Sequence, residues 1–275
     1  MDTEQISLNR LNRNSESWGT AQDQLHKYVF KAKMVRAFSY IFHLPFGGIL
    51  IFLIKYGFKI RIRDLQGLRA YYKELFKDPR PLIICSNHLS YLDPVMIIYS
   101  FGHHLWYLTH YKSYSWNFPA IEYSKNFLFR LICHLSKCIF INRSGSVRHH
   151  QTVLDLGRRL VQNGEALTIF PEGRRSKTGT FEDQKLAYGV GKIISGMKEC
   201  RVLCVYVRAV NRKMPCRIPK RGPIFSVTHR MLEFQPTGNS REEVGRITRN
   251  IADQIILLEK EFFLKSDLSR VSGGL

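Results

Sequence analysis

The sequence predicts an α/β fold in which a mixed central sheet is flanked by helices. Two observations predict it: short apolar runs have the length of buried strands, and segments between them repeat apolar residues at helical spacing. The four runs are residues 81–85, 138–142, 167–170 and 203–205. With 275 residues, 44% of them hydrophobic, the chain can bury one substantial core. An apolar segment near the N-terminus is expected to be helical and to associate with a membrane.

Residues 1–24 are rich in Asn, Ser, Gln and Arg and are expected to form a mobile polar tail. The membrane-associating segment is predicted at residues 25–58, and its positions 37–54 carry no charge, with basic residues on either side. This length is close to the lower limit of about 17 to 25 residues for a helix that spans a bilayer. Because His43, Pro45 and two glycines interrupt the run, we expect a broken helical pair inserted at the membrane surface. A true span and a buried core helix are the alternatives.

The later elements are predicted from the same kinds of pattern. Alternation of basic and apolar residues over 58–65 predicts a half-exposed strand, and residues 68–76 are predicted to be helical. Helical periodicity over 147–161 ends at an Asn-Gly pair, a typical C-terminal signal. Residues 246–263 are predicted to form an amphipathic helix that packs on the sheet, and residues 266–275 a flexible tail.

A histidine and an aspartate, His88 and Asp93, follow the apolar run 81–85 and lie five residues apart. The run predicts a buried strand, so His88 is expected in the turn after it. Asp93 and Pro94 are predicted to be the N-cap and first residue of a helix, where proline is tolerated. Such a turn can bring the carboxylate to one imidazole nitrogen and leave the other nitrogen to accept a proton from a hydroxyl group. The alternative is that Asp93 only caps the helix.

Two later runs also end in charged residues. The run 138–142 is predicted to be a strand and is followed by Arg143, and the run 167–170 is followed by Pro-Glu-Gly-Arg-Arg-Ser at residues 171–176. The guanidinium fork of arginine suits a phosphate group that is held by two hydrogen bonds. Three strand ends are therefore predicted to supply a base with its carboxylate, one arginine, and a loop that carries an acid and arginines.

In their order and spacing these motifs resemble the glycerolipid acyltransferases typified by 1-acylglycerol-3-phosphate acyltransferase. The resemblance covers about residues 60–210 and rests on Asn87-His88-x4-Asp93, Phe140-Ile141-x-Arg143 and Phe170-Pro171-Glu172-Gly173-x-Arg175-Ser176. It implies that residues 59–265 are an acyltransferase domain in which His88 is the general base and Asp93 orients it. It also implies that four residues bind the phosphate-bearing acceptor: Arg143, Glu172, Gly173 and Arg175.

Three positions depart from the pattern of the family. The glycine that usually lies three residues before the phenylalanine of the second motif is Lys137 here. The small residue or threonine before the second arginine of the third motif is Arg174, and the proline of a late Val-Pro-Val strand is Cys204. These changes leave the residues of the implied chemistry intact.

The resemblance implies an enzyme that transfers a fatty acyl group from a thioester donor to the free hydroxyl of lysophosphatidate, giving phosphatidate in phospholipid biosynthesis. Acyl-CoA or acyl-carrier protein is the expected co-substrate, and neither a cofactor nor a metal is expected. Two alternatives stay open. One is the same chemistry on another acceptor, such as another lysophospholipid, a lyso-amino-acid lipid or glycerol phosphate. The other is a non-catalytic basic protein that binds membranes or nucleic acid, and the intact motifs argue against it.

The formal net charge of +20 predicts attraction to polyanions, among them anionic lipid surfaces, the phosphates of coenzyme A and nucleic acid. Lys and Arg are spread along the chain without a dense block, so an anionic membrane surface is the expected partner and nucleic acid is not. The first residues lack the pattern of a secretory signal. We therefore expect a membrane-associated protein with its active site on the cytoplasmic side.

The six cysteines include no Cys-x-x-Cys pair, and four of them lie inside apolar runs. This pattern predicts buried thiols in a reducing compartment and no disulfides. A zinc site at Cys133, His134 and Cys138 is an alternative, although the spacing differs from that of usual zinc sites.

Overall fold

Five strands form one mixed sheet in the computed structural model. The structure describes the backbone of residues 3–184, 186–210 and 221–272. It describes the side chains of residues 22–184, 186–210 and 221–265. The strands are β1 (Arg61–Ile62), β2 (Leu82–Ser86), β3 (Leu167–Ile169), β4 (Cys200–Ala209) and β5 (Ile224–Phe234). They lie in the order β1-β5-β4-β2-β3; β4 and β5 are antiparallel, and the other neighbouring pairs are parallel. The predicted α/β class with a mixed sheet is confirmed.

Helices flank this sheet. Those predicted at residues 68–76 and 147–161 agree with the structure to within a few residues, whereas no bounds were predicted for the helices at residues 104–109, 127–135 and 189–195. The helices within the described ranges are α1 (Thr3–Ile41), α2 (His43–Phe52), α3 (Leu65–Leu75), α4 (Asp93–Phe101), α5 (His104–Thr109), α6 (Phe127–Leu135), α7 (Val147–Gln162), α8 (Gly189–Ser195) and α9 (Arg241–Ser272). A π-helical turn, Leu53–Gly57, follows α2, and short 3-10 turns lie at Tyr111–Ser113 and Ile121–Lys125.

Alternate residues of the central strands divide the core into two layers, because successive side chains of a strand point to opposite faces. Ile83 and Cys85 of β2 belong to a cluster with α1, α7, α8 and α9. Leu82 and Ile84 belong to a second cluster with α3, α4 and α5. β2 is buried along its whole length, as expected for a parallel strand with helices on both faces. The end of β2, which leads to His88, is thereby fixed between two packed layers.

The run 138–142 does not form a regular strand, although it extends the sheet beyond β3. Backbone hydrogen bonds join it to residues 116–120, which in turn bridge to β3. The amide of Ile141 donates to the carbonyl of Pro119, but Pro119 has no amide hydrogen with which to continue the ladder. The ladder is therefore interrupted and leaves two isolated parallel bridges, Asn117 with Cys138 and Ala120 with Ile141.

The strand predicted at 58–65 is shorter than expected and comprises only Arg61–Ile62. Lys59 and Asp64 on either side of it have left-handed backbones, with φ angles of 51° and 47°, which an extended strand cannot contain. Asp64 instead caps α3, since its carboxylate accepts a hydrogen bond from the amide of Gly67 at 3.1 Å.

The boundaries predicted at residues 24 and 265 do not coincide with helix ends. α1 already begins at Thr3, and α9 continues to Ser272. Residues 3–24 contain no proline, so no residue in this stretch has to end a helix. The rest of the two predicted tails, residues 1–2 and 273–275, lies outside the described residues. The mobility of both tails stays a prediction.

α1 and α2 form a bent pair with an angle of 64° between residues 22–41 and 43–57. Ala32 and Val35 of α1 pack into the core, whereas four large apolar side chains at helical spacing on the same helix are exposed: Phe30, Met34, Phe38 and Ile41. In the part of the chain that the structure describes, no single helix is long and apolar enough to cross a bilayer. The bent pair meets these two criteria only when its helices are taken together.

Lys137, at the position where the resembled family usually has glycine, has the left-handed backbone that glycine favours, with a φ angle of 49°. Its side chain is fully buried; the Nζ atom lies 2.5 Å from a Glu165 oxygen and donates to two carbonyls of residues 111–114. Arg36 of α1 lies 2.9 Å from the other Glu165 oxygen. Burial lowers the pKa of Lys137 to about 8, and Glu165 opposes this shift. The ion triad ties α1 to the segment that leads to Arg143.

Candidate active site

The three motifs lie at one edge of the sheet, where β2, β3 and residues 138–141 end in parallel. His88 comes two residues after β2, the loop 170–176 follows β3, and Arg143 follows residues 138–141. Ligands of open α/β sheets usually bind at this carboxyl edge. The placement of the motifs is thus the one expected from the three strand ends.

Asp93 is the first residue of α4, and Leu92 is the N-cap, one position earlier than predicted. The Asp93 carboxylate is directed to the preceding turn. Its Oδ2 accepts from the amides of Leu89 and Ser90 at 2.6 Å each, and its Oδ1 accepts from the Ser90 hydroxyl at 2.7 Å. The prediction that Asp93 is the helix cap is therefore wrong, because its carboxylate satisfies the buried amides of the turn before the helix.

The imidazole of His88 contacts the same carboxylate, with Nδ1 at 3.0 Å from Oδ2 of Asp93. Since a carboxylate only accepts hydrogen bonds, Nδ1 carries the proton and Nε2 presents a lone pair. The ring stacks on Phe170 at a centroid distance of 4.2 Å, and 17% of the side chain is exposed. Within the described chain, no protein group is hydrogen-bonded to Nε2. This atom is therefore available to take a proton from a hydroxyl group.

The loop 170–176 also holds the backbone of His88. The His88 amide donates to Oε1 of Glu172 at 2.8 Å, and the His88 carbonyl accepts from the Ser176 amide at 2.7 Å. We refer to these two hydrogen bonds as the His88 clamp. Through them, two turns that follow different strands are fixed to each other at the residue that carries the candidate base.

Glu172 is buried, and its second oxygen accepts from the amide of Glu182 at 3.3 Å. Burial raises the pKa of Glu172 to about 8, while the two amide donors act in the opposite direction. Both oxygens are thus engaged by backbone groups, and the geometry gives Glu172 a role in positioning His88. The acceptor contact that the resemblance implies for Glu172 stays a prediction.

Gly173 forms the sharp turn of this loop, with a left-handed φ angle of 65°. A Cβ atom at this position would lie 3.1 Å from the Cβ of Ala187, so the turn is also tight. The Gly173 amide donates to the carbonyl of Phe170 at 2.9 Å and is therefore used inside the turn. A contact between Gly173 and the acceptor stays a prediction.

The guanidinium of Arg175 lies over the ring of Tyr91, with Cζ 3.8 Å from the ring centroid, and donates to the Tyr91 hydroxyl at 3.0 Å. Tyr91 belongs to the turn between His88 and Asp93, so the cation is held beside the candidate base. Stacking fixes the plane of the guanidinium and leaves further N–H groups for an anion. The neighbouring Arg174 instead pairs with Glu182 at 3.0 Å.

Arg143 is exposed at the end of residues 138–141. Because residues 116–120 and β3 lie between that segment and β2, the segment is three strand spacings from β2, roughly 14 Å. Within the described residues, no hydrogen bond or ion pair joins the Arg143 guanidinium to the loop 170–176. The structure places Arg143 at the same edge without bringing it into contact, and its role with the acceptor stays a prediction.

Several residues that shape the site were missed by the sequence reasoning. Phe170, Tyr91 and Ser176 lie in or between the motif residues. No local sequence pattern indicates that they contact His88 and Arg175. The Asn87 side chain donates to the carbonyl of Val207 at 3.0 Å and accepts from its amide at 2.8 Å. These partners are 120 residues apart in the sequence, so only the folded sheet brings them together.

The alternative zinc site finds no support, since no group of three metal-ligating side chains occurs among the described residues. Cys133 and Cys138 lie in a small apolar cluster with Phe140, and the His134 ring nitrogen Nδ1 lies 2.8 Å from the carbonyl of Arg130. The five described cysteines are free thiols; Cys216 lies outside the described residues.

A base oriented by a carboxylate beside a stacked arginine is an arrangement suited to group transfer onto a hydroxyl. The chain belongs to the acyltransferase family, whose model matches residues 67–208, just over half of the sequence. The family recognised from the motifs is thereby confirmed.

Two curated relatives illustrate the similarity. Over 97 residues the chain is 33% identical to a probable 1-acyl-sn-glycerol-3-phosphate acyltransferase of Mycoplasma genitalium, covering 35% of this chain and 33% of that protein. Over 129 residues it is 27% identical to the human 1-acyl-sn-glycerol-3-phosphate acyltransferase beta, covering 45% of this chain and 38% of that protein. The chain thus matches about a third of the length of these relatives.

The substitution Glu172→Gln is expected to change how stability depends on pH. The pKa of Glu172 is raised from 4.5 to about 8, so between these values the folded protein holds a proton that the unfolded chain has released. The carboxyl therefore lowers the free energy of unfolding as the pH rises through this range, and glutamine removes the effect. In chemical denaturation from about pH 5 to about pH 8, the variant should gain stability relative to wild type, by up to about 1.4 kcal/mol per pH unit.

Glu243→Gln is the matched control. Hydrogen bonds from Arg246 lower the pKa of Glu243, so this group is ionised in both states over the same pH range. Its substitution should shift stability by an amount that does not vary with pH. If Glu172→Gln gives the same flat difference, burial does not control the ionisation of Glu172.

Proposed function

We propose that the protein is an O-acyltransferase that moves a fatty acyl group from acyl-CoA or acyl-carrier protein to the free hydroxyl of lysophosphatidate, giving phosphatidate. The observation that carries the proposal is the His88–Asp93 pair, which leaves Nε2 available beside the guanidinium of Arg175. A base and a guanidinium that stacks on Tyr91 of the same turn suit a substrate that has a hydroxyl and a phosphate monoester. The names of the curated relatives support the same acceptor.

In the proposed reaction, Nε2 of His88 takes the proton of the acceptor hydroxyl as its oxygen attacks the thioester carbonyl. The resulting imidazolium is stabilised by the Asp93 carboxylate at 3.0 Å. Collapse of the tetrahedral intermediate forms the ester and breaks the carbon–sulfur bond, and the thiolate leaves with the proton from His88. The products are phosphatidate and a free thiol, so atoms and charge balance without a cofactor or a metal.

A covalent acyl-enzyme is not part of this mechanism, because a thioester is already activated. Ser90 lies two residues after His88, but its hydroxyl donates to Oδ1 of Asp93 at 2.7 Å and is buried. An activated serine nucleophile would instead be hydrogen-bonded to the base. The geometry of Ser90 therefore supports direct transfer.

We further propose that the bent pair of α1 and α2 associates with the anionic cytoplasmic surface of a membrane. The support is the exposed apolar stripe of α1, with Phe30 65% and Ile41 70% exposed, together with the net charge of +20. Exposed apolar side chains of α2 and the following π-helical turn continue it: Leu44, Ile49, Phe52, Leu53 and Tyr56. Insertion of the exposed face into the membrane surface suits this helix pair, because its other face packs against the protein.

His88→Ala should lower the turnover number by about 10²- to 10⁴-fold, since it deletes general-base catalysis. The measurement is the initial rate with acyl-CoA and lysophosphatidate, with circular dichroism as the test of folding. Ser90→Ala is the matched control from the same turn and should lower the turnover number much less than His88→Ala, because it removes a hydrogen bond to Asp93 and leaves the base in place. Near-normal turnover of a folded His88→Ala protein would exclude His88 as the base.

Arg175→Lys should impair acceptor binding, because a point-charge ammonium cannot reproduce the bidentate fork. Loss of one charge-assisted contact of about 1.5 to 3 kcal/mol predicts roughly a 10- to 150-fold lower kcat/KM, with a raised KM for lysophosphatidate. Arg174→Lys is the control, since that residue pairs with Glu182 at the surface and should change little. A raised KM for the thioester donor alone would assign Arg175 to the donor.

The membrane proposal is tested with the full chain, because α1 contributes Ala32 and Val35 to the core and its truncation would disturb the fold. Phe30→Ser combined with Ile41→Ser should reduce the fraction of protein that cosediments with anionic vesicles, while the wild type stays bound at high salt. Leu264→Ser, an equally exposed site on α9, is the control and should not change binding. Complete release of the wild type by salt would show purely electrostatic attachment.

A further inference from the structure

α6 presents a face of large apolar side chains to solvent. Phe127 is 68% exposed and Leu128 63% exposed, and Leu131 lies one turn further on the same side. Ile121 in the preceding 3-10 turn is exposed as well. An exposed cluster of this kind, beyond singly scattered residues, marks a surface that meets an apolar partner.

The opposite face of α6 leads directly to the candidate active site. Phe129 of α6 and Tyr123 of the preceding turn contact the ring of Tyr91, at centroid distances of 6.5 and 5.8 Å. Tyr91 carries the guanidinium of Arg175, and the loop of Arg175 clamps His88. A short aromatic path therefore joins the exposed face to the residues proposed to bind and deprotonate the acceptor.

The charges around this face favour an anionic lipid surface as its partner. Residues 121–135 carry Lys125 and Arg130 against one acid, Glu122. The Arg130 guanidinium lies 5.8 Å from the ring centroid of Phe127, so a cation borders the apolar face itself. Aromatic and basic side chains in such proximity suit the boundary between acyl chains and anionic headgroups.

The position of α6 in the fold supports the same partner. α6 packs against α1, whose exposed stripe is the proposed membrane contact. Two neighbouring helices with exposed apolar faces can rest on one bilayer. Of these two, α6 is the helix whose Phe129 contacts Tyr91, the ring under Arg175. A lysophospholipid must otherwise expose its acyl chain to water on the way to the site, which is unfavourable for every methylene group.

We infer that α6 is a second membrane-contact element, which lets the acceptor pass from the bilayer to Arg175 and His88 without leaving an apolar surface. This inference rests on the proposed acyl transfer to a lysophospholipid. It predicts that the α6 face matters for an acceptor embedded in a bilayer and not for one dissolved in water.

The test compares the full-length wild type with Phe127→Ser combined with Leu128→Ser. One acceptor is long-chain lysophosphatidate in vesicles of phosphatidylcholine and phosphatidylglycerol, and the other is a short-chain lysophosphatidate that is monomeric in water. Leu257→Ser combined with Leu264→Ser, two exposed leucines of α9, is the matched control. Cosedimentation with acceptor-free vesicles of the same composition gives a readout that does not depend on activity.

The double variant of α6 should lose about tenfold or more in kcat/KM with the embedded acceptor and change less than about twofold with the dissolved one, as expected when only delivery is impaired. Vesicle binding should also fall, and the α9 variant should resemble wild type in every assay. Equal effects on both acceptors, or unchanged vesicle binding, would overturn the inference. The α6 face would then be a contact surface for another protein. A wild type that is inactive on both acceptors would instead refute the proposed function, and this inference with it.

Discussion

The amide and the carbonyl of His88 are both hydrogen-bonded to the loop that follows β3, and the chemistry of the site depends on these two bonds. The parallel strands bring the motifs to one edge, but the turn between β2 and α4 has no regular structure of its own. The turn is fixed by the carboxylate of Asp93, by the His88 clamp and by the Asn87 side chain on Val207. Each such hydrogen bond contributes about 1 kcal/mol when made, and a buried group left without a partner costs about 1 to 3 kcal/mol. One geometry therefore satisfies the hydrogen-bonding groups of the turn, and among the described residues it leaves Nε2 of His88 without a hydrogen-bond partner.

The same arrangement determines how the charges of the site are distributed. Burial raises the pKa of Glu172 to about 8 and so favours the uncharged form of this carboxyl to a higher pH than in an exposed glutamate. The Asp93 carboxylate is surrounded by two amides, a hydroxyl and the His88 imidazole. Both acids of the site are thus engaged within the protein, whereas the guanidinium of Arg175 is held flat on Tyr91. In the proposed reaction, Arg175 attracts the acceptor phosphate while the acceptor hydroxyl meets the base.

Much of this site could be predicted from the sequence, because the relevant signals are local. Apolar runs predict buried strands, and residues just after parallel strands meet at one edge, which places His88, Glu172 and Arg175 together. The contacts between these residues could not be predicted, since Glu172 and His88 are 84 residues apart and their bond depends on how two loops pack. Asp93 was assigned to the helix cap because cap preferences are local, whereas the buried amides of Leu89 and Ser90 determine its actual role. Pro119 interrupted a predicted strand for a similar reason: its effect falls on a partner segment some twenty residues away.

We propose that Glu172 acts through His88 by holding its backbone, and a double-mutant cycle tests this role most directly. Glu172→Ala, His88→Ala and the double variant are compared in turnover number with acyl-CoA and lysophosphatidate, after each protein has been shown to be folded. Loss of the Glu172 hydrogen bond of the clamp should lower the turnover number of the otherwise intact enzyme by up to about 10²-fold, as a misplaced base does. In the His88→Ala background the same substitution should have no further effect, because the base it positions is already absent. Effects of the two substitutions that multiply independently would contradict the account and would give Glu172 a role of its own in the reaction.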